Sequence, residues 1–461
     1  MKLPWGQISK STLLSNIEMQ GTVLAPLKCS LSIDRIGKEA LEQHHSKLFK
    51  YKNCVTIPPL AMIDDVLAVT DCSINSVTMN SFISSKIRSM QLELGTAKCA
   101  QMHIGRTDMQ CCELKVNSSA MKRSEKETYL GEIITSDGKI TENITSRYNK
   151  GIGIANTIIS LLQEVSFGKY FFDMALLFRN SMLINSILCS IESLYGLTNA
   201  HIEKLESVDK YLLRKIFNAS STTAVEALYL ETGTLPLRFV IKSRRLMFYW
   251  SILSKNETEL VRKVYNAQKI APLKNDWCTM IKDDLESCNI YLTESEICKM
   301  TKEKFKSIVK EKIREQARQY LVKLKQSHTK SKQLDENLNL QPYIKSNTMT
   351  KEEIQLLFRF RTYTYDCKEN YRWNNTDIRC STCKLDETQE HLIHCTQFID
   401  ITKQSIKYEH IFGKLSDQIK IIKILMLIDQ RRSIESKSSS NTGSQVHLLG
   451  ASCTPSVYDI G

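Results

Sequence analysis

No apolar run in this 461-residue chain approaches the roughly 18 consecutive residues that a membrane-crossing helix needs. Nor does the opening Met1-Lys2-Leu3-Pro4-Trp5-Gly6 have the charged-then-apolar order of a secretory signal. The most apolar segment, Ile152 to Val165, is interrupted by Gly153, Asn156 and Gln163 and reads as a buried helix. A disulfide framework is missing too: the 15 cysteines are scattered, some inside helical patterns such as those around Cys189 and Cys298. That is the pattern of reduced thiols in an intracellular protein, with one local exception near the C-terminal end. Acidic charge is in short supply. Asp and Glu number 50 against 63 Lys and Arg, a formal charge of +13. The excess favours polyanionic partners, nucleic acid ahead of an acidic membrane surface. With 42% hydrophobic residues, the length suits about three soluble domains.

What is present centres on Ala61-Met62-Ile63-Asp64-Asp65-Val66-Leu67-Ala68-Val69. Two short apolar runs flank adjacent carboxylates, the pattern of a tight hairpin with Asp64 and Asp65 at its tip. Carboxylates held at a hairpin tip suit a hard divalent cation that orients phosphates. A solvated turn would use the same residues, so the flanking chain decides between them.

Upstream, Gln20 to Asp34 reads as a glycine turn leading into a helix that runs towards His44 and His45, and Lys50 to Pro58 as a strand. Helical spacing through Val77, Phe82, Ile83, Ile87, Met90 and Leu94 predicts a helix over 75–94 with Gly95 as its C-cap. Strands are expected at Cys99 to Ile104 and Tyr129 to Ile134, a turn at Asp137-Gly138, and a helix capped by Thr141. From there to about 330 the pattern is helical. One stripe is Ile202, Leu205, Val208, Leu212 and Ile216, and a second helix over 239–254 carries Lys242, Arg244 and Arg245. The third stripe is Phe305, Val309, Ile313, Ala317, Tyr320 and Leu324, backed by Lys306, Lys310, Arg314, Arg318, Lys323 and Lys325. Such a basic face is either simply solvated or meets nucleic acid. Arg359 and Arg361, interleaved with Phe358 and Phe360, are candidates for the same contact.

The strongest local signal is Cys380, Cys383, His391 and Cys395, spaced Cys-x2-Cys-x7-His-x3-Cys. The first two fit a tight knuckle, and His391 and Cys395 fall on one side of a short helix. Three thiolates and an imidazole complete a tetrahedral zinc site, with His394 as an alternative ligand. Beyond Arg432 the composition turns to Ser, Asn, Thr and Gly, an expected disordered tail.

In order, these pieces resemble the reverse transcriptases of non-LTR (LINE-type) retrotransposons over roughly residues 20 to 400. Gln20-Gly21-Thr22-Val23-Leu24-Ala25-Pro26-Leu27 is similar to the motif that contacts template and incoming nucleotide, which implies such roles for Gln20 and Gly21. Met62-Ile63-Asp64-Asp65 resembles the catalytic motif that holds two magnesium ions. Leu94 to Cys99 resembles the next motif, whose lysine, here Lys98, approaches the triphosphate. Tyr129-Leu130-Gly131 resembles a primer-grip strand. Asn143-Ile144 and Arg147 look like the opening of the thumb, and Glu226 to Gly233 resembles a phrase downstream of it. Glu387-Thr388 and Glu390-His391-Leu392 repeat the wording of the family's C-terminal zinc knuckle, which grips RNA or target DNA. The implied partners are an RNA template and a DNA target or primer, without a membrane; the implied compartment is nuclear or cytoplasmic.

One departure bears on activity. The family's fingers, and the motif supplying the carboxylate that bridges both metals, lie upstream of Gln20. Here Met1 to Met19 holds one acidic residue, Glu18, and no strand with a central Asp, while Asp34 lies on the following helix. Two-metal catalysis clamps attacking and leaving oxygens between cations about 4 Å apart, so losing one wall should abolish it. An endonuclease domain is not expected either, since the chain has no Pro-Asp pair. The expected architecture is α+β. It comprises a partial right-hand palm with a short antiparallel sheet (1–135), a helical thumb (136–255), a basic helical region (256–370), a zinc knuckle (371–400), a terminal helix (401–435) and the tail (436–461). The expected function is that of a polymerase remnant that binds nucleic acid. The alternatives are an active enzyme whose N-terminal part is missing from the gene model, a zinc-knuckle binding protein without catalytic ancestry in use, and an unstable product.

Overall fold

The computed structural model describes residues 25–63, 65–105, 112–165, 168–273, 276–370, 377–402 and 407–440. The fold is mixed α+β, mostly helical, with short strands paired two by two. Gln20, Gly21, Asp64 and the chain beyond 440 lie outside the described residues.

Helix α1 (Ala25–Gln43) is followed by two hairpins, β1 (Phe49–Tyr51) with β2 (Val55–Ile57) and β3 (Leu60–Met62) with β4 (Asp65–Leu67). The single strand expected over 50–58 is therefore a hairpin. Lys52 and Asn53, both at positive φ, turn the chain there, and a left-handed asparagine costs little. Helix α2 (Ser73–Ser89) ends at Met90 and Gln91 (φ 58°) rather than at the expected Gly95, whose φ is −72°. Its buried stripe is Met79, Phe82, Ile83 and Ile87, while Val77 faces solvent. Ile33, Ile36 and Ala40 of α1 meet that stripe, with Val66 of β4 against the cluster. The carboxylate hairpin is thus backed by an apolar core.

Strands β5 (Ala100–Gln101), β6 (Lys115–Val116), β7 (Ser119–Ala120), β8 (Lys122–Arg123), β9 (Lys126–Tyr129) and β10 (Glu132–Thr135) follow. Among the described strands, β5 with β8 is the one parallel pair. The segment expected as one strand over 129–134 splits at Leu130 (φ 50°) and Gly131 (φ 83°), a turn of the left-handed kind that suits two-residue hairpins.

The helices then run α3 (Thr141–Gln163), α4 (Gly168–Phe178), a π-turn into α5 (Asn185–Ile187), α6 (Asn199–Ile216), α7 (Val225–Thr232) and α8 (Leu237–Leu253). They continue with α9 (Leu260–Ile270), α10 (Trp277–Ser287), α11 (Glu294–Lys299), α12 (Lys302–Ser327), α13 (Lys351–Arg361), α14 (Gln389–His394), α15 (Ile399–Thr402) and α16 (Leu415–Ser440). Residues 436–440, expected in the tail, are the last turn of α16. On α12 the stripe ends on Leu321 rather than Tyr320 and Leu324. Lys325 turns inward to Glu336 (2.9 Å), and Arg318 is taken up by Glu315. Of the second basic run, Arg245 is buried against Asp284 and Arg244 donates to Asn185 and Leu188. No described helix is long and apolar enough to cross a membrane.

The chain packs as two compact units. One draws on Met1–Thr157, Arg179–Asp209 and Leu235–Gln319; the other on Ile158–Phe178, Lys210–Thr234 and Tyr320–Gly461.

Candidate metal centre

The chain reverses around residues 378–387. Arg379 bridges Asp386, the Cys380 N–H donates to Leu385 O at 2.7 Å, and Lys384 takes a left-handed φ of 62°. That turn carries the first two cysteines. Thr388 caps α14, its hydroxyl accepting from the His391 N–H at 3.0 Å, and Cys395 closes the helix. His391 therefore projects from the first turn of a pinned helix and Cys395 from its end.

The four ligand atoms lie within 4.8 Å of one another. Cys380 Sγ is 3.7 Å from Cys395 Sγ, Cys383 Sγ is 3.9 Å from Cys395 Sγ, and Cys383 Sγ is 3.1 Å from His391 Nε2. Zinc–sulfur bonds of about 2.3 Å in a tetrahedron put sulfurs about 3.8 Å apart. A disulfide would put them about 2.05 Å apart. The spacing is that of metal ligands, and the soft donor set suits zinc. His394, the alternative ligand, is exposed and outside the cluster.

The electrostatics agree. Burial opposes ionisation of Cys380, yet N–H groups of Cys383 and Thr382 and the His391 ring bring its thiol down to about 6. Burial and the neighbouring Cys380 sulfur push Cys395 up to about 12. One thiolate thus opposes the next, and a dication shared by all the sulfurs removes that conflict. The group can hold a metal such as zinc.

The other candidate residues are dispersed. Asp65 opens β4, exposed and opposite Met62, on the far side of a turn that includes Ile63. Ile63 sits at φ 57°, an uncomfortable conformation for a β-branched residue. The structure brings Tyr129 close to this hairpin: its hydroxyl donates to Leu60 O at 3.5 Å. Burial, then the Asp65 charge, raise its pKa. Gly131 and Lys98 are exposed. Arg359 is half-buried with its guanidinium 5.7 Å from the Tyr365 ring.

Arg361, expected at a nucleic-acid surface, is instead buried. Its Nε and Nη2 each reach Glu231 at 2.9 Å, and Nη1 donates to Ile411 O. Tyr343 donates to the same carboxylate at 2.7 Å. This gives the phrase Glu226 to Gly233 a structural role, since Glu226 to Thr232 of α7 are all buried. Gly233 (φ 63°) closes it where a Cβ would lie 2.3 Å from Leu340 N. Arg147 is likewise internal, donating to Asn143 at 2.6 Å, to Ile187 O, and to Glu132. Periodicity carried no sign of the Arg361 anchor, because its carboxylate lies 130 residues earlier in the chain.

No protein-family model matches the chain, and no curated protein matches it.

Proposed function

We propose that this chain binds nucleic acid as a relative of non-LTR retrotransposon reverse transcriptases, gripping RNA and DNA partly through a zinc knuckle, and does not polymerise by itself. The observation that carries the binding is the Cys3His cluster, whose four donors converge at tetrahedral spacing. Cys380, Cys383, His391 and Cys395 would hold the ion, which supplies folding energy to a short segment rather than chemistry. The +13 charge and the exposed Lys306, Lys310 and Lys323 of α12 favour a polyanion. The hairpin carrying Asp65, backed by its apolar cluster and approached by Tyr129, supports descent from a polymerase palm. Magnesium at Asp64 and Asp65 belongs to that ancestry.

Fluorescence anisotropy with a short RNA and a short DNA tests the binding. Affinity should fall linearly on a log–log plot against salt and should ignore Asp64→Ala with Asp65→Ala. It should weaken at least about tenfold in Cys380→Ser with Cys383→Ser. A salt slope near zero rejects the reading. Primer extension on an RNA template with magnesium or manganese should give no product; extension lost only in the aspartate variant would show an active polymerase.

A further inference from the structure

A second site is independent of the zinc cluster. A cavity of about 230 Å³ opens where the ends of α3 and α6 and the starts of α4 and α13 meet. Ile159, Leu162 and Phe171 give it an apolar wall. Among the described residues its charged lining groups are Lys215 and Lys351, with no carboxylate. The Lys351 ammonium sits 4.3 Å from the centre of the Phe171 ring, and that of Lys215 lies 5.7 Å from the Tyr211 ring. Aromatic faces attract these cations without neutralising them.

Lys215 and Lys351 put two cationic side chains on the lining of one small cavity, which suits a ligand with concentrated negative charge. The apolar wall calls for a flat or hydrophobic body on the same ligand. Sites for drug-sized molecules begin at about 300 Å³, so this one is too small for a dinucleotide cofactor or a long acyl chain. The amides of Gln163 and Asn218 add donors and acceptors of the kind a heterocycle edge uses. The Gln355 amide is committed elsewhere, donating to Ile216 O at 2.7 Å, which holds α13 against α6. The wall is therefore preformed.

We propose that this cavity takes a single nucleotide, its base against the apolar wall and its phosphate between Lys215 and Lys351. The wall is largely aliphatic, with the Phe171 ring buried beneath the Lys351 ammonium, so the base is held by unspecific apolar contact and little base preference is expected. The nucleotide comes either free or as the phosphorylated end of a strand, and competition separates the two.

Calorimetric titration of the full chain with the four nucleoside 5′-monophosphates tests this. Each should bind, with adenosine and inorganic phosphate at least tenfold weaker. Lys215→Gln and Lys351→Gln should each weaken binding about tenfold without moving the melting temperature. If Lys351→Gln destabilises the fold, Lys215→Gln alone decides. A 5′-phosphorylated trinucleotide that displaces the monophosphate, where its 5′-hydroxyl form does not, assigns the strand end. Monophosphate binding without such displacement assigns the free nucleotide. Cys380→Ser with Cys383→Ser should leave monophosphate binding intact even where strand binding is lost. No binding at millimolar monophosphate, equal binding of hexanoate, or unchanged affinity in both lysine variants would overturn the proposal.

Discussion

Ile63 is the residue at which local preference and fold disagree. A β-branched side chain at φ 57° costs roughly 1–2 kcal/mol relative to a residue that tolerates the left-handed region. The register Met62 opposite Asp65 leaves room for only two turn residues, which compels it. Ile63→Asn should therefore raise stability by up to about 1 kcal/mol in urea unfolding; a loss would mean that the side chain's packing outweighs the strain. Glu231 and Arg361 pose the opposite case, a buried pair whose members each need the other. Glu231→Ala should cost about 3–5 kcal/mol by leaving a guanidinium buried and uncompensated, read as a collapse of the denaturant midpoint. Here the sequence misled for a definite reason. Alternating Phe and Arg looks the same on a nucleic-acid surface and in a core, and the deciding carboxylate sits 130 residues earlier.

At the level of elements, patterns governed by local geometry were legible. The hydrophobic stripe of α6 buries Leu205, Val208, Leu212 and Ile216, the carboxylate hairpin forms, and the cysteine spacing assembles four donors. What periodicity missed were the turns. Lys52-Asn53 and Leu130-Gly131 each fold a presumed strand back on itself, because two or three residues at positive φ leave too little trace in a hydropathy pattern. Metal should decide the fate of the knuckle. A colorimetric chelator should release about one zinc per chain from wild type and none from Cys395→Ser, since one lost thiolate breaks the tetrahedral set. The start of α10 responds to acid instead. Burial opposes ionisation of Asp276, but N–H groups of Thr279 (2.9 Å) and Leu273 (2.8 Å) outweigh it and hold its pKa below the usual range. A depressed carboxyl stabilises the fold above its unfolded pKa of about 3.9 and loses that contribution as pH falls through the lowered value. Asp276→Ala should cost about 1 kcal/mol at pH 7 and progressively less as pH falls through the lowered value.

At the scale of the whole molecule, composition pointed to a polyanion partner but could not reveal how the chain is partitioned. Contiguous segments were expected, whereas each compact unit is assembled from three separate stretches. The reason is physical: hydropathy and charge are read along the backbone, while packing joins whichever apolar faces meet in space. That weaving sets a practical rule for dissecting the protein. A single protease cut or stop codon cannot liberate either unit intact, since each would lose strands of chain it requires. Terminal truncations should yield insoluble or molten fragments. Two separately expressed pieces, by contrast, should regain nucleic-acid binding only when mixed, so mapping function here calls for fragment complementation or point variants rather than deletion series.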